Sequence, residues 1–201
     1  MKLLKNYLFI FTVIFFILGM VNILFAWLGL ACMLLPFILL VRDSKKTWCQ
    51  KYCPRASLYT TCGKATSKFS LKTPRFFVSG GMKWIILAYF ALSMFIVINS
   101  TIKVASGNVP PMLHVRFLIM FRLPFDLPQL IAISGLPQWT YHFGYRFYSL
   151  MLTTTILGLI MALVYKPRTW CTVCPVSTLS GIYLNSAKKC PSANTKQTGL
   201  L

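Results

Sequence analysis

From Tyr7 to Val41 the chain runs for 35 residues without a charged side chain. As one helix this stretch would be about 50 Å long, against a hydrocarbon core of about 30 Å. Two spans fit better, with a turn around Gly19 to Asn22 and helices over about 5–21 and 23–41. Cys32 then falls inside the second span, where the expected role is a small buried hydrophobe. A third span is expected at about 82–102 and a fourth at about 147–165, each apolar and flanked by a cation. The N-terminal Lys2 and Lys5 flank resembles the start of a signal peptide. The apolar run continues too far for one and no small-residue cleavage site follows, so a retained first span is expected. With 57% hydrophobic and 11% charged residues, the composition excludes an ordinary soluble domain and makes the lipid bilayer the solvent.

Lys and Arg number 21 against two acids, a net charge of +19. No basic recognition element or aromatic platform accompanies the charge, which argues against nucleic-acid binding. Its placement between apolar runs reads instead as membrane topology. Residues 42–83 carry ten cations: Arg42, Lys45, Lys46, Lys51, Arg55, Lys64, Lys68, Lys72, Arg75 and Lys83. The tail from Lys166 carries five, and 103–146 carries four: Lys103, Arg116, Arg122 and Arg146. Four spans put both termini and the 42–81 loop in the cytoplasm, whereas a three-span chain would export either the N-terminal lysines or the densest basic loop. The expected fold is therefore an all-α integral membrane protein of the inner (cytoplasmic) membrane, a single domain of four transmembrane helices. Cytoplasmic cysteine loops occupy 42–81 and 166–201, and an external loop 103–146 lies partly in the interface. Within that loop, Phe117–Phe121 and Leu127–Ile133 read as interfacial or re-entrant. Trp139, Tyr141, Phe143 and Tyr145 read as an aromatic belt ahead of the fourth helix. His114 and His142 are expected as interfacial histidines, or as haem ligands or proton carriers for a quinone.

One motif occurs twice: Trp48-Cys49-Gln50-Lys51-Tyr52-Cys53-Pro54 and Trp170-Cys171-Thr172-Val173-Cys174-Pro175. Each copy closely follows the cytoplasmic end of an expected span, so spans of matched direction deliver both cysteine pairs to one face. Four thiolates on short loops suit a [4Fe–4S] cluster, and a Cys–Pro ending closes ferredoxin-type runs. Proline fixes φ and removes an amide donor just after the ligand. A reducing compartment disfavours a structural disulfide there. Lys45, Lys46, Lys51, Arg55, Lys166 and Arg168 would offset the cluster's charge, or act as positive-inside anchors. Cys62 and Cys190, the latter also followed by proline, are further candidate ligands. Seven cysteines make one cluster the economical number and leave a second open.

The paired motifs resemble those of the membrane-bound 4Fe-4S binding proteins related to the maturation and electron-transfer subunits of periplasmic nitrate reductase and nitrous-oxide reductase systems. The resemblance implies Cys49, Cys53, Cys171 and Cys174 as cluster ligands. It also implies electron passage between a quinol pool or cytoplasmic donor and a redox partner protein. The second copy has two residues between its cysteines where the family pattern has three, and the ferredoxin domain of larger relatives is not in this sequence. Asp43 and Asp126 are the only acids, which argues against a carboxylate proton relay and against catalysis by paired carboxylates. The expectation is an electron-transfer component rather than a stand-alone enzyme. Two alternatives stay open: a membrane thiol–disulfide oxidoreductase using the Cys171/Cys174 spacing, and a protein that handles zinc or a soft metal through its cysteine pairs.

Overall fold

The structure, a computed structural model, describes residues 2–65, 80–118, 121–122, 129 and 136–189. The first helix, α1 (Lys2–Val21), stops at Asn22, and a 3₁₀ turn (Ile23–Ala26) leads directly into α2 (Trp27–Asp43). The uncharged run is thus two segments, broken where the sequence expected. Asn22 makes the break tolerable in apolar surroundings. Its backbone is extended (φ −152°, ψ 127°), and its side chain accepts the Leu24 N–H at 2.9 Å. The Ile23 N–H donates to Gln129 Oε1 at 2.9 Å, so the amides released at the turn are satisfied.

Two further long helices follow, α4 (Gly81–Ala105) and α5 (Gln138–Val164). Among the described residues three helices, Ile23–Asp43, Gly81–Ala105 and Gln138–Val164, are long and apolar enough to cross a membrane, while the apolar part of α1, Tyr7–Val21, is shorter. The chain is a mostly helical membrane protein. Its outer surface carries the expected apolar side chains, with Leu92, Phe95, Ile98 and Ile102 exposed along one side of α4.

The central helix is α5, against which every other long helix packs. It starts at Gln138, well before the expected 147, so Trp139, Tyr141, Phe143 and Tyr145 belong to the helix and not to a loop ahead of it. Tertiary packing explains the extension. Phe143 lies 4.6 Å from Trp27 and 5.6 Å from Phe147, and Tyr145 joins a buried cluster with Ile23, Ala26, Met112, Val115 and Tyr148. Further along, Ser149, Thr154 and Thr155 return their hydroxyl protons to carbonyls of the preceding turn. The oxygens of this polar run accept bonds from other elements: Arg116 N–H on Ser149, Leu118 N–H on Thr153 and Arg55 Nη1 on Thr154.

The expected cysteine loops are substantially helical. Residues 42–81 contain a π-helical turn (Trp48–Tyr52) and α3 (Pro54–Ala65), and the tail contains α6 (Thr169–Val173) and α7 (Pro175–Lys189). Proline explains both longer helices, since Pro54 and Pro175 occupy the first helical position, where a missing N–H costs nothing. α3 packs on α1 and α5. Tyr59 is wholly buried against Gly158, where a Cβ would collide with its ring. Between α4 and α5, Arg116–Phe117 (β1) pairs antiparallel with Phe121–Arg122 (β2). Of the Leu127–Ile133 stretch, all but Gln129 lies outside the described residues.

The contacts define two ends of the bundle. At one, Met82 and Ile86 of α4 meet Tyr59, Ala162, Trp170 and Val173. At the other, Ser100 of α4 meets His142 of α5. The start of α1, the end of α2, the start of α4 and the end of α5 therefore share the end that carries both cysteine motifs.

Candidate metal centre

The two motif copies have the same backbone plan. In each, a short helical turn carries the first cysteine, the second cysteine is extended (Cys53 φ −66°, ψ 110°; Cys174 φ −58°, ψ 128°), and proline opens a helix. The second cysteine's carbonyl takes the first bond of that helix, from Ser57 N–H onto Cys53 and from Thr178 N–H onto Cys174. The one-residue difference in spacing is absorbed by the turn. Cys53 N–H reaches back five residues to Trp48 C=O at 2.9 Å, a π-type bond, whereas the second copy winds as an ordinary α turn. The tryptophans have diverged: Trp170 is buried in the packing beneath the site, and Trp48 lies half-buried 6.4 Å from Tyr52.

All four motif cysteines lie at the same end of the bundle, each pair within electrostatic range. Burial pushes the Cys49 thiol up to about 11, with Cys53 and Cys174 adding to the shift and Lys46 opposing it. Burial likewise pushes Cys171 up to about 12; Cys53, Cys174 and Cys49 add to this and Arg168 opposes it. Cys174 is also raised by burial. The Ser177 and Val176 amides at the start of α7 oppose this by donating to its sulfur, Cys53 raises it further, and Arg55 lowers it. Among the described residues no three His, Cys, Asp or Glu side chains are grouped as ligands of a single metal ion.

A cleft of about 240 Å³ opens onto Cys49 and Cys53, with Leu8, Lys51, Lys64 and Arg168 among its walls. Cys171 and Cys174 do not line it. Of the expected cations, Lys46, Arg55 and Arg168 act on the thiols and Lys51 lines the cleft, while Lys45 and Lys166 are exposed. Cys62 sits nine residues beyond Cys53 in α3, about 13 Å farther along the helix axis. Cys190 lies outside the described residues. Cys32 is on the exposed side of α2 and not in the buried position expected for it, yet it remains within electrostatic reach of Cys53 and Arg55.

Two residues counted only as cations in the sequence turn out to hold the site together. Lys46 Nζ donates to Ser177 C=O at 3.1 Å, joining the approach to the first motif to the helix after the second. Arg55 anchors the start of α3 to α5 through Thr154 Oγ1 at 3.1 Å, the Met151 carbonyl at 3.4 Å and the Met151 sulfur. No spacing signal marks either contact, because each joins residues about a hundred positions apart.

The fold and site together define a helical membrane protein with two cysteine pairs gathered at one end of its bundle. No family model, curated protein or solved structure matches the chain.

Proposed function

We propose that the chain is a membrane electron-transfer protein that holds a [4Fe–4S] cluster through Cys49, Cys53, Cys171 and Cys174. The observation that carries this reading is the convergence of the two motif copies at one end of the bundle, each pair of sulfurs within electrostatic range. The donor set fits the group: four unpaired, half-buried thiols lie in cationic surroundings. The raised thiols disfavour thiol–disulfide exchange, which needs a stabilised thiolate, whereas a metal deprotonates its thiol outright.

Such a cluster supplies one-electron storage. The residues of the chain would hold it and balance its charge through Lys46, Arg55 and Arg168. In this reading Tyr7–Val21 completes a set of four spans, and both termini and the cysteine end face the cytoplasm. Electrons pass between a quinol or cytoplasmic donor and a redox partner protein.

Anaerobically purified protein is expected to be brown, with about four irons and four sulfides per chain and a cluster EPR signal on reduction. Cys49→Ser and Cys174→Ser should each lose most of the iron. Colourless protein containing zinc or copper, or a reducible Cys171–Cys174 disulfide, would overturn the proposal.

A further inference from the structure

The end of the bundle opposite the cysteines holds a cavity of about 360 Å³ whose charge is unbalanced. Lys103 reaches it from the last turn of α4, Arg116 from β1, and Arg146 from the third turn of α5. His114 also lines it and accepts a hydrogen bond from Arg116 Nε at 3.1 Å, which fixes one edge of that guanidinium. His142, in the wall, is already engaged on both ring nitrogens.

Among the described residues no carboxylate lines the cavity. Asp43 lies at the far end of α2, and Asp126 is outside the described residues. Even counting Asp126, the segment 103–146 has four cations against one acid. The Arg116 charge acts on Arg146, and Arg146 Nε is shielded from solvent with no hydrogen-bond partner among the described residues. Like charges crowded in one cleft repel, and a shielded donor without an acceptor is costly. Both costs are removed by an anion with several acceptor oxygens. Guanidinium forks match phosphate in geometry as well as charge.

We propose that this cavity binds a phosphate oxyanion, either as the headgroup of an anionic phospholipid or as free phosphate. Exposed Ile102, Val109 and Leu113 beside it offer an apolar surface on which the acyl chains of a lipid would lie. This site is independent of the cluster and stands or falls separately from it.

The test uses the full chain, delipidated in a neutral detergent and titrated with phosphatidylglycerol, phosphatidylcholine or inorganic phosphate, with binding read by native mass spectrometry. Phosphatidylglycerol should bind at least about tenfold more tightly than phosphatidylcholine. The double variant Arg116→Gln/Arg146→Gln should lose at least about tenfold, and Lys83→Gln, at the opposite end, less than about twofold. Binding of inorganic phosphate alone, lost in the same double variant, supports the site with free phosphate as its occupant. Should the double variant fail to melt cooperatively, the single variants Lys103→Gln, at an exposed position, and Arg116→Gln supply the comparison. Phosphatidylglycerol binding that is indifferent to these substitutions would overturn the proposal. So would equal affinity for the two lipids together with no phosphate binding.

Discussion

At His142 the two ring nitrogens have fixed and different partners. Nδ1 accepts the Met112 N–H at 2.9 Å, so the proton sits on Nε2, 3.1 Å from Ser100 Oγ. Ser100 passes its own proton to the Val97 carbonyl, which leaves its oxygen open to accept from the ring. A histidine engaged on both sides has no nitrogen left for a haem iron, and its work is to pin the Met112 segment to the bundle. His142→Phe should lower stability by about 1–3 kcal/mol, because the Met112 N–H loses its acceptor, with His142→Gln recovering part of the loss in thermal melts in detergent. The cysteines carry a second expectation at this scale. Thiols raised to about 11 and about 12 are protonated at neutral pH, where alkylation needs the thiolate. In cluster-free, reduced protein, Cys49 and Cys171 should therefore react with maleimide at pH 7 at least about tenfold more slowly than an exposed cysteine. Equally fast reaction would revive the oxidoreductase alternative.

Among the elements, α3 has the weakest sequence signature and the clearest structural role. Its pattern has no apolar stripe of its own. It is held by the proline that starts it, by Tyr59 over Gly158, and by Arg55 bonded to Thr154 and Met151. Arg55→Met keeps much of the length but removes the donors, and should cost about 1.5–3 kcal/mol, read as an earlier melting transition together with reduced iron content. Gly158→Ala presses a methyl into a Tyr59 ring that is too buried to swing away, and should cost about 1–3 kcal/mol. Gly81→Ala, with nothing near the added carbon, is its matched control. The motif repeat itself was visible in the residues. The equivalence of its two copies was not, because a chain with three intervening residues and one with two coincide only when one of the turns is wound as π.

For the whole molecule, the decisive property is which end each segment occupies. The contacts put the start of α1, both cysteine motifs and the start of α4 together, with the connection through Asn108 at the other end. If the basic end is cytoplasmic, a cysteine placed at exposed Asn108 should be labelled in intact cells by a membrane-impermeant maleimide, while one at exposed Lys45 should be labelled only after lysis. The reverse pattern would refute the orientation.

The helical membrane class, the break near Asn22 and the repetition of the cysteine motif followed from local properties: uncharged length, hydrophobicity and a repeated Cys–Pro signature. Each is written within a few adjacent residues, and sequence alone reports such information well. The early start of α5, the helices inside the expected cysteine loops, the exposed side of Cys32 and the engagement of His142 arose only in the folded chain. So did the bonds of Lys46 and Arg55 that tie the cysteine end together. These depend on contacts between residues as much as 131 positions apart, and a side chain's partner at that distance is chosen by packing, which no local pattern encodes.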